Sequence, residues 1–153
     1  MKTIKLLLIV AIAFACISLN STVSESKGFT LDLTTVLDTG TVYHPTVGQC
    51  DDTPLITADC SKIDLKKLPE LRWVALSRDL LTRWDGPYHY GDTIIVEHKD
   101  ERLNGKWIVH DTMNKRYKNR MDFLQHKKGL FGRWFNIKIT KKVRDDLWGN
   151  KKN

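Results

Sequence analysis

From Thr39 to Ile139 the apolar residues come in short bursts, each stopped by turn-forming or charged residues, which leaves no room for a long amphipathic helix. Five bursts read as strands: Thr39–Tyr43, Trp73–Leu76, Thr93–Glu97, Lys106–Val109 and Phe135–Ile139. The last alternates cleanly and is expected to place Phe135, Ile137 and Ile139 on one face. Ser77–Trp84 has helical spacing behind a capping serine, so a short helix is expected there. Leu65–Leu71 reads as a loop or a helical turn interrupted at Pro69, and Tyr88–Asp92 as a turn into the next strand. Strands this short would leave many open edges in a flat sheet. Closure into a small barrel removes them, so a mainly β chain with one or two short helices is expected.

Ahead of the barrel pattern, Met1–Lys5 carries two lysines and Leu6–Ala15 is apolar on every face but too short to span a bilayer. That is the form of an export signal, expected over residues 1–20. Ala13-Phe14-Ala15-Cys16 places a small residue before a cysteine, as lipoprotein signals do. Cleavage before Cys16 with lipidation there is one reading, and ordinary cleavage between Ser18 and Ser26 is the other. A polar segment at 21–38, a barrel domain at 39–140 and a basic, solvated tail at 141–153 follow. With Cys16 in the leader, Cys50 and Cys60 remain as a pair in an exported domain, which favours a disulfide over two free thiols. Closing so short a loop contributes about 2–3 kcal/mol on the chain-entropy model.

The chain has 153 residues and a formal charge of +7, enough length for one core and a basic surface. Basic residues concentrate in Lys115–Lys128 and Lys138–Lys152. Charge of this kind suits anionic wall polymers, anionic lipid or nucleic acid, and an exported compartment argues against nucleic acid as partner. No nucleophile elbow, phosphate loop or dinucleotide fingerprint occurs, so acyl transfer and nucleotide chemistry have no support and no cofactor is expected. Of five histidines, His44, His89, His98 and His110 are scattered without ligand spacing, and no metal is expected.

The chemistry-bearing segment is Lys106–Leu124, where an apolar strand runs into Asp111, a basic turn follows, and a second acid stands at Asp122. Two carboxylates presented at strand ends can divide the work of glycosidic cleavage. Other segments fall in line with it: Tyr43 with Thr57-Ala58, Val74-Ala75-Leu76, Tyr90-Gly91-Asp92-Thr93-Ile-Ile-Val96, and Asp111-Thr112 through Asn119-Arg120-Met121-Asp122. In that order they resemble the three-aspartate ("3D") family of double-psi β-barrels, related to MltA-type lytic transglycosylases and to RlpA and expansin-like proteins. The resemblance covers roughly Thr39 to Ile139, the length of a single domain.

The resemblance implies a small six-stranded double-psi β-barrel acting on peptidoglycan glycan strands in the cell envelope. Such a protein would be periplasmic, anchored to the outer membrane by a lipid, or secreted, with other envelope proteins as further partners. It implies Asp111 as acid and base, Asp122 as its partner and Asp79 as the third aspartate, with Tyr43, Thr57, Thr112, Asn119 and Arg120 binding substrate. Tyr117 and Trp107 also offer rings for sugar stacking, although the alternation of Trp107 favours the core. Two departures stand out: Met113-Asn114 replaces a glycine pair that lets a sugar approach the backbone, and Ser77 stands where the first aspartate is expected. The enzyme reading therefore stands beside a second, a non-catalytic barrel that binds glycan or a partner protein.

Overall fold

The computed structural model describes residues 30–47 and 52–144. The expected export signal, Cys16 and Cys50 lie outside the described residues. Six strands form the chain's framework: β1 (Thr30–Tyr43), β2 (Trp73–Leu76), β3 (Thr93–Glu97), β4 (Gly105–Thr112), β5 (Arg120–Leu124) and β6 (Trp134–Arg144). They close into a ring in the order β1-β5-β2-β4-β3-β6, with β6 returning to β1. The pairs β1/β5 and β2/β4 are parallel and every other pair is antiparallel. Closure leaves no open edge along the ring, as the short strands require.

The barrel interior follows from period-two alternation. Ile94 and Val96 of β3, Trp107 and Val109 of β4, and Met121 and Phe123 of β5 all point inward and are buried. Trp107 packs edge-on against Phe123, which meets Trp134 in the same way, at ring separations of 4.7 and 5.8 Å. Trp107 Nε1 donates to the Leu103 carbonyl at 2.7 Å, so its one polar atom is satisfied in the core. A second apolar cluster, with Tyr43, Ile63, Leu68, Ala75, Met113 and Leu124, lies apart from the first, formed by the wall and the β1–β2 connection.

β2 and β3 have the bounds their patterns predict, and the other elements differ in instructive ways. β1 begins at Thr30 rather than Thr39, and β6 runs on to Arg144, because the two pair antiparallel from Thr30↔Arg144 to Gly40↔Trp134. Residues 30–38 of the polar segment and the start of the basic tail thus contribute to a ribbon. Phe135 does not share a face with Ile137 and Ile139: Asn136 takes a left-handed φ of 56°, turning Phe135 to solvent and letting Trp134 enter the core. β5 lies where only a loop was expected.

The helix expected over Ser77–Trp84 is instead two 3-10 turns, Arg78–Leu80 and Thr82–Trp84, with Leu81 extended between them. A continuous α-helix would turn adjacent residues about 100° apart, whereas this broken path buries both Leu80 and Leu81 at the barrel mouth. Ser77 stands at the N-cap of the first turn, but its side chain makes no capping bond there. Its hydroxyl accepts the Arg120 N–H at 3.0 Å and joins the end of β2 to the start of β5.

Gly86 donates its N–H to the Leu81 carbonyl at 3.0 Å and closes these turns. A Cβ there would press into the backbone of Leu80 and Leu81, which has no freedom to give way. Gly86→Ala is therefore expected to lower unfolding stability by about 1–3 kcal/mol, as overpacking does. Urea denaturation followed by tryptophan fluorescence measures this, and unchanged stability would show that the turn relaxes freely.

Candidate active site

Residues that face one another across adjacent strands place the two acids. Asp122 of β5 lies opposite Thr41 of β1 on one side and Ala75 of β2 on the other, and Ala75 in turn lies opposite Asp111 of β4. Thr41, Asp122, Ala75 and Asp111 form one transverse row. The acids' backbones stand two strand spacings apart, about 9–10 Å. Between them Ala75 presents only a methyl group, so the wall stays open where a larger side chain would fill it.

Asp111 reaches this row through an irregularity. Along β4, Trp107 and Val109 point into the barrel, and unbroken alternation would send Asp111 the same way. The register with β2 slips by one residue, Val74 meeting Val109 but Ala75 meeting Asp111, and leaves His110 as the extra residue. A bulge of this kind re-aims the side chain beyond it. Asp111 thereby joins Ala75 on the outer face.

The row floors a cleft of about 1090 Å³ whose walls include Tyr43, Thr57, Ala58, Thr112, Met113 and Tyr117, with Arg78, Arg116 and Arg133 also lining it. Among the expected site residues, the fold brings Asp111, Asp122, Tyr43, Thr57 and Thr112 together here. Asp79, Asn119 and Arg120 do not line the cleft. They fasten its frame: Asp79 Oδ2 accepts the Asn119 N–H at 2.9 Å, Asn119 takes a left-handed φ of 50°, and Ser77 N–H donates to the Arg120 carbonyl at 2.9 Å. Asp79 therefore acts on the loop entering β5 and does not join the other two acids. Met113 fills the position of an expected glycine with a buried side chain in the second cluster.

The two carboxyls have different surroundings. Asp111 Oδ1 accepts backbone N–H bonds from Ala58 at 3.0 Å and Thr112 at 2.8 Å, and so serves as a fixed acceptor. For Asp122, burial pushes the carboxyl above the ordinary aspartate range; the Thr41 hydroxyl and the Arg120 charge oppose that shift, and the Asp111 charge adds to it. A carboxyl raised by burial in the same row as one held by backbone N–H donors is an arrangement that can separate acid from charge stabiliser.

A second polar group, unmarked in the sequence pattern, holds the β1–β2 connection over the cleft. His110 Nδ1 lies 2.6 Å from Asp59 Oδ2 and 3.2 Å from Ser61 Oγ, while its ring meets that of Trp73 at 4.1 Å, tilted by 45°. Serine and aspartate both meet the same ring nitrogen, so these residues do not form a nucleophilic relay, which needs one at each nitrogen. Their geometry is that of a fastener. Thr57 Oγ1 donates to Asp59 Oδ1 at 2.6 Å, and Ala58, next in the chain, reaches Asp111. Cys60 follows with an exposed free thiol and a left-handed φ of 68°, on the cleft wall. Among the described residues no cluster of three or more histidine, cysteine or acidic side chains is placed to hold a metal ion, and no helix is long and apolar enough to cross a membrane.

No family model, curated protein or solved structure matches the chain.

Burial raises the Asp59 pKa, but hydrogen bonds from Thr57, His110 and Ser61 outweigh it and hold the carboxyl below its ordinary value. A depressed carboxyl stabilises the fold above its unfolded pKa of about 3.9 and loses that contribution as pH falls through the folded value. Asp59→Asn is expected to lower stability by about 1 kcal/mol at pH 7, with the difference from wild type shrinking as pH drops below 4. Thermal melts from pH 3 to 7 test this; a difference independent of pH would remove the fastening role of the charge.

Proposed function

We propose that this is an exported cell-envelope protein of the double-psi β-barrel type that cleaves peptidoglycan glycan strands in the manner of a lytic transglycosylase. The observation that carries the reading is the row Asp122–Ala75–Asp111, two carboxylates in different protonation environments across an open floor. The two parallel pairs within a six-strand ring support the double-psi assignment. An N-terminal leader of export type supports a location in the periplasm, at the outer membrane through a lipid on Cys16, or outside the cell.

In this mechanism the roles of the acids are the reverse of those the family resemblance assigns. Asp122, whose carboxyl burial pushes above the ordinary aspartate range, protonates the glycosidic oxygen as the bond to C1 breaks. Asp111 stabilises the positive charge that develops on the sugar ring. The sugar's own C6 hydroxyl then attacks C1 and gives its proton to Asp122, which restores the acid and leaves a 1,6-anhydro end. No water is consumed. Tyr43 and Tyr117 line the same cleft, Tyr43 largely buried and Tyr117 beneath the guanidinium of Arg116.

A second reading keeps the barrel and drops the chemistry. It is favoured by Met113, whose buried side chain occupies the place of a glycine that would admit a sugar to the backbone, with Asn114 beside it on the cleft wall. On that reading the cleft binds glycan without cutting it.

Incubation with purified sacculi, followed by mass spectrometry of the released fragments, separates the two. Anhydro-ended products are expected from wild type, with a loss of about a hundredfold or more in Asp122→Asn. Binding to sacculi without products would leave the binding module as the function. A stability measurement checks the acid independently. A raised carboxyl makes the fold lose stability as pH climbs from about 3.9 through the folded pKa. Asp122→Asn is thus expected to melt above wild type at pH 7 and to converge with it near pH 4; a lower melting point at neutral pH would contradict the assignment.

A further inference from the structure

Three guanidinium groups line the cleft that holds the two acids, yet among the described residues none of Arg78, Arg116 and Arg133 forms an ion pair with a carboxylate. Two of them are held by rings instead. Arg78 stacks over Trp84 at 4.9 Å, and its Nε is buried without a hydrogen-bond partner. Arg116 lies over Tyr117 at 4.7 Å and donates to the Tyr117 hydroxyl at 2.7 Å. Stacking fixes the plane of a guanidinium while leaving donors along its edge, the geometry suited to a carboxylate.

The arginines arrive together for a topological reason. β2 and β4 are parallel, so the turn after Leu76 that carries Arg78 and the turn after Thr112 that carries Arg116 leave from the same end of the barrel. Both follow directly on the acid row, whose members Ala75 and Asp111 lie near the ends of those strands. Arg133 precedes β6, whose first residue pairs with Gly40, the neighbour of Thr41. Acids on the floor and arginines beside it divide the cleft by charge.

We infer that Arg78, Arg116 and Arg133 form an anion subsite that takes a carboxylate carried on an arm of the glycan, making the substrate an acidic glycan rather than a neutral one. The inference rests on the glycan reading given above. Asp111, the charge-stabilising acid of that mechanism, would repel a substrate carboxylate placed over it, while the arginines attract it. The charge pattern therefore sets the substrate's register: the neutral glycosidic bond lies over the acids and the charged arm lies at the arginines. A neutral glycan leaves the buried Arg78 Nε without a partner, which works against it.

The test uses the chain carrying Asp122→Asn, so that ligand stays intact, and two probes: soluble glycan fragments with their carboxyl groups free, and the same fragments with those groups converted to methylamides. Calorimetric titration is expected to show about tenfold tighter binding of the free-carboxyl fragments, as hydrogen bonds to charged partners give. Raising the salt concentration is expected to narrow that gap. Arg78→Gln and Arg116→Gln should each reduce the preference, and Arg78→Lys should recover part of it, because lysine retains charge but not the fork. Should Arg78→Gln fail to fold, the exposed Arg116 still carries the test. Equal binding of both probes, or a preference unchanged by both glutamine variants, overturns the anion subsite alone. Binding of neither probe overturns the glycan reading beneath it.

Discussion

A closed barrel cannot accept an unpaired carboxylate among Trp107, Val109 and Phe123, because an isolated charge in such surroundings has neither water nor partner. Strict alternation along β4 would put Asp111 there. The extra residue at His110 resolves the conflict by shifting the register of β4 against β2, and Asp111 emerges beside Ala75 on the outer wall. The cleft depends on that slip: it brings Asp111 into line with Asp122, and it frees His110 to receive the β1–β2 connection through Asp59. One irregularity thus keeps the core apolar, assembles the acid row and provides the fastening point for the covering segment.

Around the slip, local bonds hold the parts in register. Ser77 and Asp79 bind the backbone of Arg120 and Asn119, so the short strand β5 starts in a fixed position and delivers Asp122 opposite both Thr41 and Ala75. On the other side, Ala58 donates to Asp111 and ties the connection to the acid itself. Short strands have few ladder bonds of their own, and side chain to backbone bonds of this kind contribute about 1 kcal/mol each while restricting register. Residues that looked like substrate ligands in the sequence, Asn119 and Arg120, take part in this framework.

Short apolar runs between turn residues made β2 and β3 legible to their bounds, and alternation made the inward face of Trp107 legible, because both are local properties. Of the eight site residues the family resemblance implied, Asp111, Asp122, Tyr43, Thr57 and Thr112 share one cleft, whereas Asp79, Asn119 and Arg120 do not line it. Other features depend on distant partners. β5 is a strand because it is paired on both sides, with β1 and with β2, and nothing in Arg120–Leu124 announces those neighbours. The extension of β1 back to Thr30 exists because β6 continues to Arg144 beside it. Phe135 leaves the core because Asn136 adopts a left-handed conformation, and Arg78 and Arg133 meet in the cleft from turns far apart in the chain.

By itself, the sequence determined that this chain is mainly β, that a closed sheet suits its strands, and that acids and arginines are available in its turns. Spacing and alternation carry that information because they act within a few residues. Only the tertiary structure decided which acids share a row, which carboxyl burial pushes above its ordinary range, and which polar residues fasten the frame. Those outcomes rest on strand pairing between distant segments and on a one-residue slip in register, and a shift of one residue reverses the face on which a side chain lies.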